Sequence, residues 1–162
     1  MSRIPAPVIL AADELKNMMP EESSAERPPT SVRILLAVFA VGLTAGFGLA
    51  TTLAPDPRGF GTHQQLGLPA CQFRQYVGVS CPHCGMTTSF SHIVRGELGA
   101  AWMANPAGPP LAIICAACIP WFGLTAATGR WLLTEEPFRW ILNLAIGYLA
   151  FAVIAWILRT AF

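Results

Sequence analysis

The chain has 162 residues, of which 54% are hydrophobic and only 12% charged, at a mean hydropathy of +0.52. A soluble domain of this length carries about twice that charged fraction, so the composition excludes an ordinary water-soluble globule. The formal net charge of +1 leaves no basic surplus for a nucleic-acid partner.

The charges crowd at one end. Residues 1–33 hold four of the ten basic residues and five of the nine acidic ones, so a polar tail precedes a body that avoids charge. Residues 1–30 read as a disordered tail, because Pro5, Pro7, Pro20, Pro28 and Pro29 interrupt it and its few apolar side chains cannot offset ordering entropy. The membrane domain then covers residues 31–162.

Ile34 to Ala54 is an uncharged run of 21 residues between Arg33 and Pro55-Asp56-Pro57-Arg58. About 20 apolar residues in a helix cross a hydrocarbon layer of about 30 Å, which makes this run the first span. It is too long, and sits too far behind a mixed-charge tail, for a cleaved signal peptide. The second span runs from about Ala107 to Gly129, with Pro109 and Pro110 in its first turn and Pro120 inside, where a kink is expected. The third runs from about Trp140 to Leu158, flanked by Arg139 and Arg159, with Trp131, Trp140 and Trp156 near its two interfaces. Within the spans, Gly42 and Gly46 form a GxxxG, and Cys115 and Cys118 share a face with Ala112 and Ile119. Small residues at that spacing mark close helix packing.

Orientation follows from the basic residues. Arg3, Lys16, Arg27, Arg33, Arg130 and Arg139 fall on the tail's side, against Arg58, Arg74, Arg95 and Arg159 opposite. The short loop Arg130–Arg139 reports best under the positive-inside rule, so the N-terminus is expected in the cytoplasm and the long loop outside an inner membrane.

That loop, 55–106, contains Cys71, Cys81, Cys84 and all three histidines, His63, His83 and His92. After Cys84, the apolar residues Met86, Phe90, Ile93 and Val94 recur at helical spacing. Gly96 interrupts them, and Leu98, Ala101 and Trp102 continue the stripe until Asn105-Pro106 stops it. The expectation is a short amphipathic helical hairpin at the bilayer surface, between the first and second spans. The fold class is therefore all-α: an integral membrane protein with three transmembrane helices and that hairpin.

Cys71, then GVSCPHCGMTTSF, then HIVRGELGAAWMANPAG, over about residues 66–115, resembles the bacterial membrane family DUF2752, a domain of unknown function. The residues that carry the likeness are Cys71, Gly78, Cys81, Pro82, Cys84, Gly85, Thr87, Gly96, Glu97, Ala101, Asn105 and Pro106. The chain departs from the pattern at Thr88, where many members carry Arg. The resemblance implies a fold and a membrane location, and no established activity.

The cysteines admit three readings. A disulfide from Cys71 to Cys81 or Cys84 would staple the loop on an oxidising face, closing about ten residues and contributing roughly 2–3 kcal/mol. In that reading the chain is a non-catalytic small subunit or scaffold, docking on other membrane-protein subunits within the lipid bilayer. Alternatively, Cys81 and Cys84 form a thiol–disulfide couple of the quinone-coupled membrane type, with Cys71 resolving it. Third, Cys71, Cys81 and Cys84 with a histidine such as His92 offer four ligands to zinc, although His92 lies two turns beyond Cys84 on a straight helix. Paired carboxylates, a phosphate-cradling glycine loop and a Ser/His/Asp set are missing from the segment, so hydrolase and kinase chemistry have no support. Asn105-Pro106 reads as a helix stop.

Overall fold

A computed structural model describes residues 27–132 and 136–161. The expected disordered tail lies almost wholly outside that range. Among the described residues there are six α-helices and no strand. They are α1 (Thr30–Thr52), α2 (Gln72–Val77), α3 (Met86–Ile93), α4 (Leu98–Ala104), α5 (Gly108–Thr128) and α6 (Pro137–Ala161), with a 3-10 turn over Thr62–Leu66. Helices α1, α5 and α6 are 23, 21 and 25 residues long and apolar enough to cross a membrane. They extend the expected first and third spans by several residues at one or both ends.

In a bilayer a helix must satisfy its polar groups internally, and four threonines of α1 and α5 do so on their own helix, while the buried Thr125 hydroxyl has no partner among the described residues. Thr44 and Thr128 donate their hydroxyls to the carbonyls of Ala40 and Leu124, one turn back. Thr51 and Thr52 likewise donate to Gly48 and Leu49. Helix α1 ends where Leu53 turns extended ahead of Pro55. Helix α5 opens on Gly108-Pro109-Pro110, whose fixed φ suits a first turn, runs unbroken through Pro120, and closes at Gly129 in the left-handed conformation.

Two arginines tie down the ends of α1, one to α5 and one to the hairpin. Arg33, near the start of α1, donates from Nε to the Ala126 carbonyl at the end of α5, 2.9 Å away. On the opposite side Arg95 donates to the carbonyls of Ala50 and Thr51, the last turn of α1, and to Ser91. Each guanidinium meets orphan carbonyls at the negative end of a helix. Between them α1 and α5 pack through Phe39 and Phe122, with ring centroids 6.4 Å apart. Gly42 and Gly46 mark no close crossing, since a Cβ on either would meet nothing within 4 Å.

The expected hairpin forms as α3 and α4, joined at Gly96 with φ +78°. Its packing differs from the apolar stripe. The fully buried side chains of α3 are Thr88, Ser89 and Ser91, while Met86, Phe90 and Ile93 are half-buried. On α4, Ala101 and Ala104 point in and Leu98 and Met103 are 62% and 82% exposed. Small hydroxyl and methyl side chains occupy the interior because α3 passes very close to α5. A Cβ on Gly108 would sit 2.0 Å from Ser89 Oγ.

Candidate functional site

The site begins with three turns. Cys71 is the residue before α2, so its thiol sits at the N-terminal end of that helix. Gly78 ends α2 in the left-handed conformation and sends the chain toward Ser80. The run Cys81-Pro82-His83-Cys84 then closes on itself, with the Cys84 N–H donating to the Cys81 carbonyl at 3.0 Å. Gly85 follows with φ +85°, pressed so close to the carbonyls of Ala104 and Gly59 that a Cβ would lie 2.4 and 2.6 Å from their oxygens. Only glycine fits there.

This folding brings the sulfurs of Cys71, Cys81 and Cys84 all within 4.8 Å of one another. Cys81 and Cys84 are 3.4 Å apart, Sγ to Sγ, and all three are free thiols. Cys84 is buried, at 7% exposure, whereas Cys71 and Cys81 are half-buried. A cleft of about 440 Å³ opens over them, walled in part by Phe60, His63, Arg74 and His83. The Arg74 guanidinium stacks on the Phe60 ring, 3.7 Å from its centroid, and so places a cation in the wall of the same cleft.

The electrostatics split the trio. Backbone N–H groups, that of Arg74 foremost, stabilise the Cys71 thiolate and lower its pKa. Burial raises Cys84 to about 12, helped by its neighbour Cys81. At the cleft's edge the Arg58 side chain bonds Asp56 and holds that carboxyl at about 2.

His92 does not join the cluster. Its Nδ1 meets Glu97 Oε2 at 2.5 Å, one turn beyond Thr88 along α3. His63 and His83 do reach the cleft, and the Nε2 of His63 lies 3.2 Å from the Pro69 carbonyl. Cys115 and Cys118 remain inside α5, away from the trio. Thr87 lines the cleft, and Thr88 is fully buried with its hydroxyl 2.8 Å from that of Thr62. Thr62 Oγ1 also accepts the Asp56 N–H, so this threonine pair ties α3 to the loop after α1.

Asn105 corrects the sequence reading most. It does stop α4, but its side chain also reaches the cysteine turn, donating from Nδ2 to the carbonyls of Pro82 and Cys84 at 3.1 Å each. Trp156, near the end of α6, donates its indole N–H to the Ser80 carbonyl at 2.7 Å. The only signal for either in the sequence was a polar atom on an otherwise apolar background.

Residues 71–119 match the family model described as a protein of unknown function, DUF2752. Comparison with curated proteins and with solved structures finds no match. The segment holding the three thiols, the hairpin and the first half of α5 carries the DUF2752 family's pattern.

Proposed function

We propose that the chain is a membrane-anchored metal-binding module, in which Cys71, Cys81 and Cys84 hold one thiophilic divalent ion such as zinc. Of the readings drawn from the sequence, this is the one for which convergence of all three sulfurs is the direct geometric requirement. A tetrahedral zinc–sulfur site has bonds of about 2.3 Å and therefore sulfur–sulfur edges of about 3.8 Å. A trio already within 4.8 Å needs only small side-chain rotations to meet it. The fourth position opens on the cleft, where His63 and His83 stand. Three thiolates around a divalent ion leave one net negative charge, and Arg74 in the cleft wall offsets it.

The bilayer surrounds α1, α5 and α6, and the arginine distribution supports a cytoplasmic N-terminus with the site on the outer side of the inner membrane. A subunit role among other membrane proteins is compatible with this module.

The test uses the full chain purified in detergent, metal-stripped and reloaded with zinc or cobalt. One ion per chain is expected, with a cobalt–thiolate charge-transfer band. It should be lost in each of Cys71→Ser, Cys81→Ser and Cys84→Ser, and kept in His92→Ala and in the Cys115→Ser/Cys118→Ser double variant. Stoichiometric metal that survives all three single cysteine changes, or none in the parent chain, overturns the proposal.

A second reading is favoured by the 3.4 Å contact between Cys81 and Cys84. Two-electron oxidation would join those sulfurs and release two protons, with a quinone of the bilayer accepting both electrons and both protons. Quinone reduction by the metal-free chain, abolished in Cys84→Ser, would favour it over metal binding.

A further inference from the structure

We infer that Asn105 is a positioning residue of the three-thiol site, fixing the Cys81–Cys84 turn in the shape that gathers the sulfurs. The inference deepens the metal reading above and rests on it for its first readout alone. Asn105 is 1% exposed, and its side-chain amide is fully engaged. Nδ2 donates to Pro82 O and Cys84 O, and Oδ1 accepts the Ala107 N–H at 2.9 Å. The Asn105 backbone is itself anchored, its N–H donating to Ala101 at the end of α4.

The consequence is geometric. An amide is planar, so satisfying one N–H acceptor on each side of Nδ2 while Oδ1 is held leaves it no rotation. Two carbonyls, of Pro82 and of Cys84, therefore point at one fixed atom. That sets the direction of the Cys84 side chain, whose sulfur is the buried corner of the trio. The other end of the amide is tied to the first residues before α5. The thiol turn is thus referenced to the start of the second span. Asn105 touches no sulfur, so its effect passes through the backbone it holds, in the way partners behind a metal's ligands orient them.

Three measurements on the full chain in detergent test this, comparing the parent with Asn105→Asp and Asn105→Gln. Aspartate keeps the size and the acceptor for Ala107 but turns a carboxylate on two carbonyls. Glutamine keeps the amide and displaces it by one methylene, serving as the gentler probe should the aspartate chain not fold. Zinc affinity by chelator competition should fall about 10–100-fold. Alkylation of Cys84 in the metal-free chain should quicken at least tenfold, because the buried sulfur is released from its corner. The melting temperature of the metal-free chain serves as the third reading.

If the parent binds no zinc while Cys84 alkylation rises in the variants, the metal reading fails and the positioning role stands. If either folded variant melts lower yet keeps both its zinc affinity and its Cys84 reactivity, Asn105 is merely structural and the inference is overturned.

Discussion

Cys71 and Cys84 lie within 4.8 Å of each other, yet their surroundings push the two thiols in opposite directions. The first N–H groups of α2 favour the Cys71 thiolate, whereas burial disfavours that of Cys84. A metal needs thiolates, so binding must strip a proton from Cys84 that solvent alone would remove only near pH 12. Each proton displaced steepens the pH dependence by about tenfold per pH unit. Apparent zinc affinity should therefore rise at least tenfold per unit between pH 6 and 8, read by chelator competition, and a flat profile would exclude Cys84 as a ligand. The stability of the metal-free fold runs the other way. A raised thiol pKa favours the neutral form, so its contribution is intact below the ordinary thiol range and is lost as pH climbs toward 12. All three readings of the sequence brought Cys71 to the CPHC pair, but the turn that does so was not legible. Nine residues lie between Cys71 and Cys81, and the αL turn at Gly78 folds the chain back after α2. Asn105 was hidden more deeply, since an Asn before a Pro ends helices often enough to need no further explanation.

At the scale of elements, the spans were legible because length without charge is a compositional signal, indifferent to packing. The hairpin's existence and its joint at Gly96 were legible for the same kind of reason, a period of 3.6 broken by one glycine. Its inward face was not. Apolar periodicity pointed to Met86, Phe90, Ile93 and Val94, but where helices nearly touch, size outranks hydropathy. Ser89 shows this most clearly: its hydroxyl donates to the Ala101 carbonyl at 2.9 Å while lying against Gly108, so it joins α4 and leaves room for α5. Gly108→Ala places a methyl 2.0 Å from Ser89 Oγ and 2.6 Å from its Cβ, and Ser89 cannot swing aside without leaving a buried hydroxyl unpaired. The change should destabilise the chain by about 1–3 kcal/mol in thermal unfolding in detergent. Adding Ser89→Gly removes both clashing atoms and should recover part of the loss. An unchanged melting temperature for Gly108→Ala would mean that α3 and α5 do not cross where described.

At the scale of the molecule, three contacts set the direction of every span. Arg33 joins the start of α1 to the end of α5, Arg95 joins the hairpin to the end of α1, and Trp156 joins the end of α6 to Ser80, beside the cysteines. Tyr148 adds a hydroxyl 3.4 Å from the Ala107 carbonyl. Helix α6 is otherwise separated from α5 by a cavity of about 310 Å³ between large side chains such as Trp121 and Trp140, so side-chain tips hold it in register. The thiol site and the end of α6 therefore share one face, and Arg33, Arg130 and Arg139 share the other. The positive-inside rule supports the proposed orientation, in which the thiols face outward, and labelling tests it. In intact cells expressing a chain with Cys115→Ala and Cys118→Ala, a membrane-impermeant maleimide should label the loop cysteines, while a fluorescent protein fused to the N-terminus stays cytoplasmic. Labelling only after lysis would reverse the orientation and place the thiols in a reducing compartment, where a metal, and not a disulfide, is the state that holds three sulfurs together.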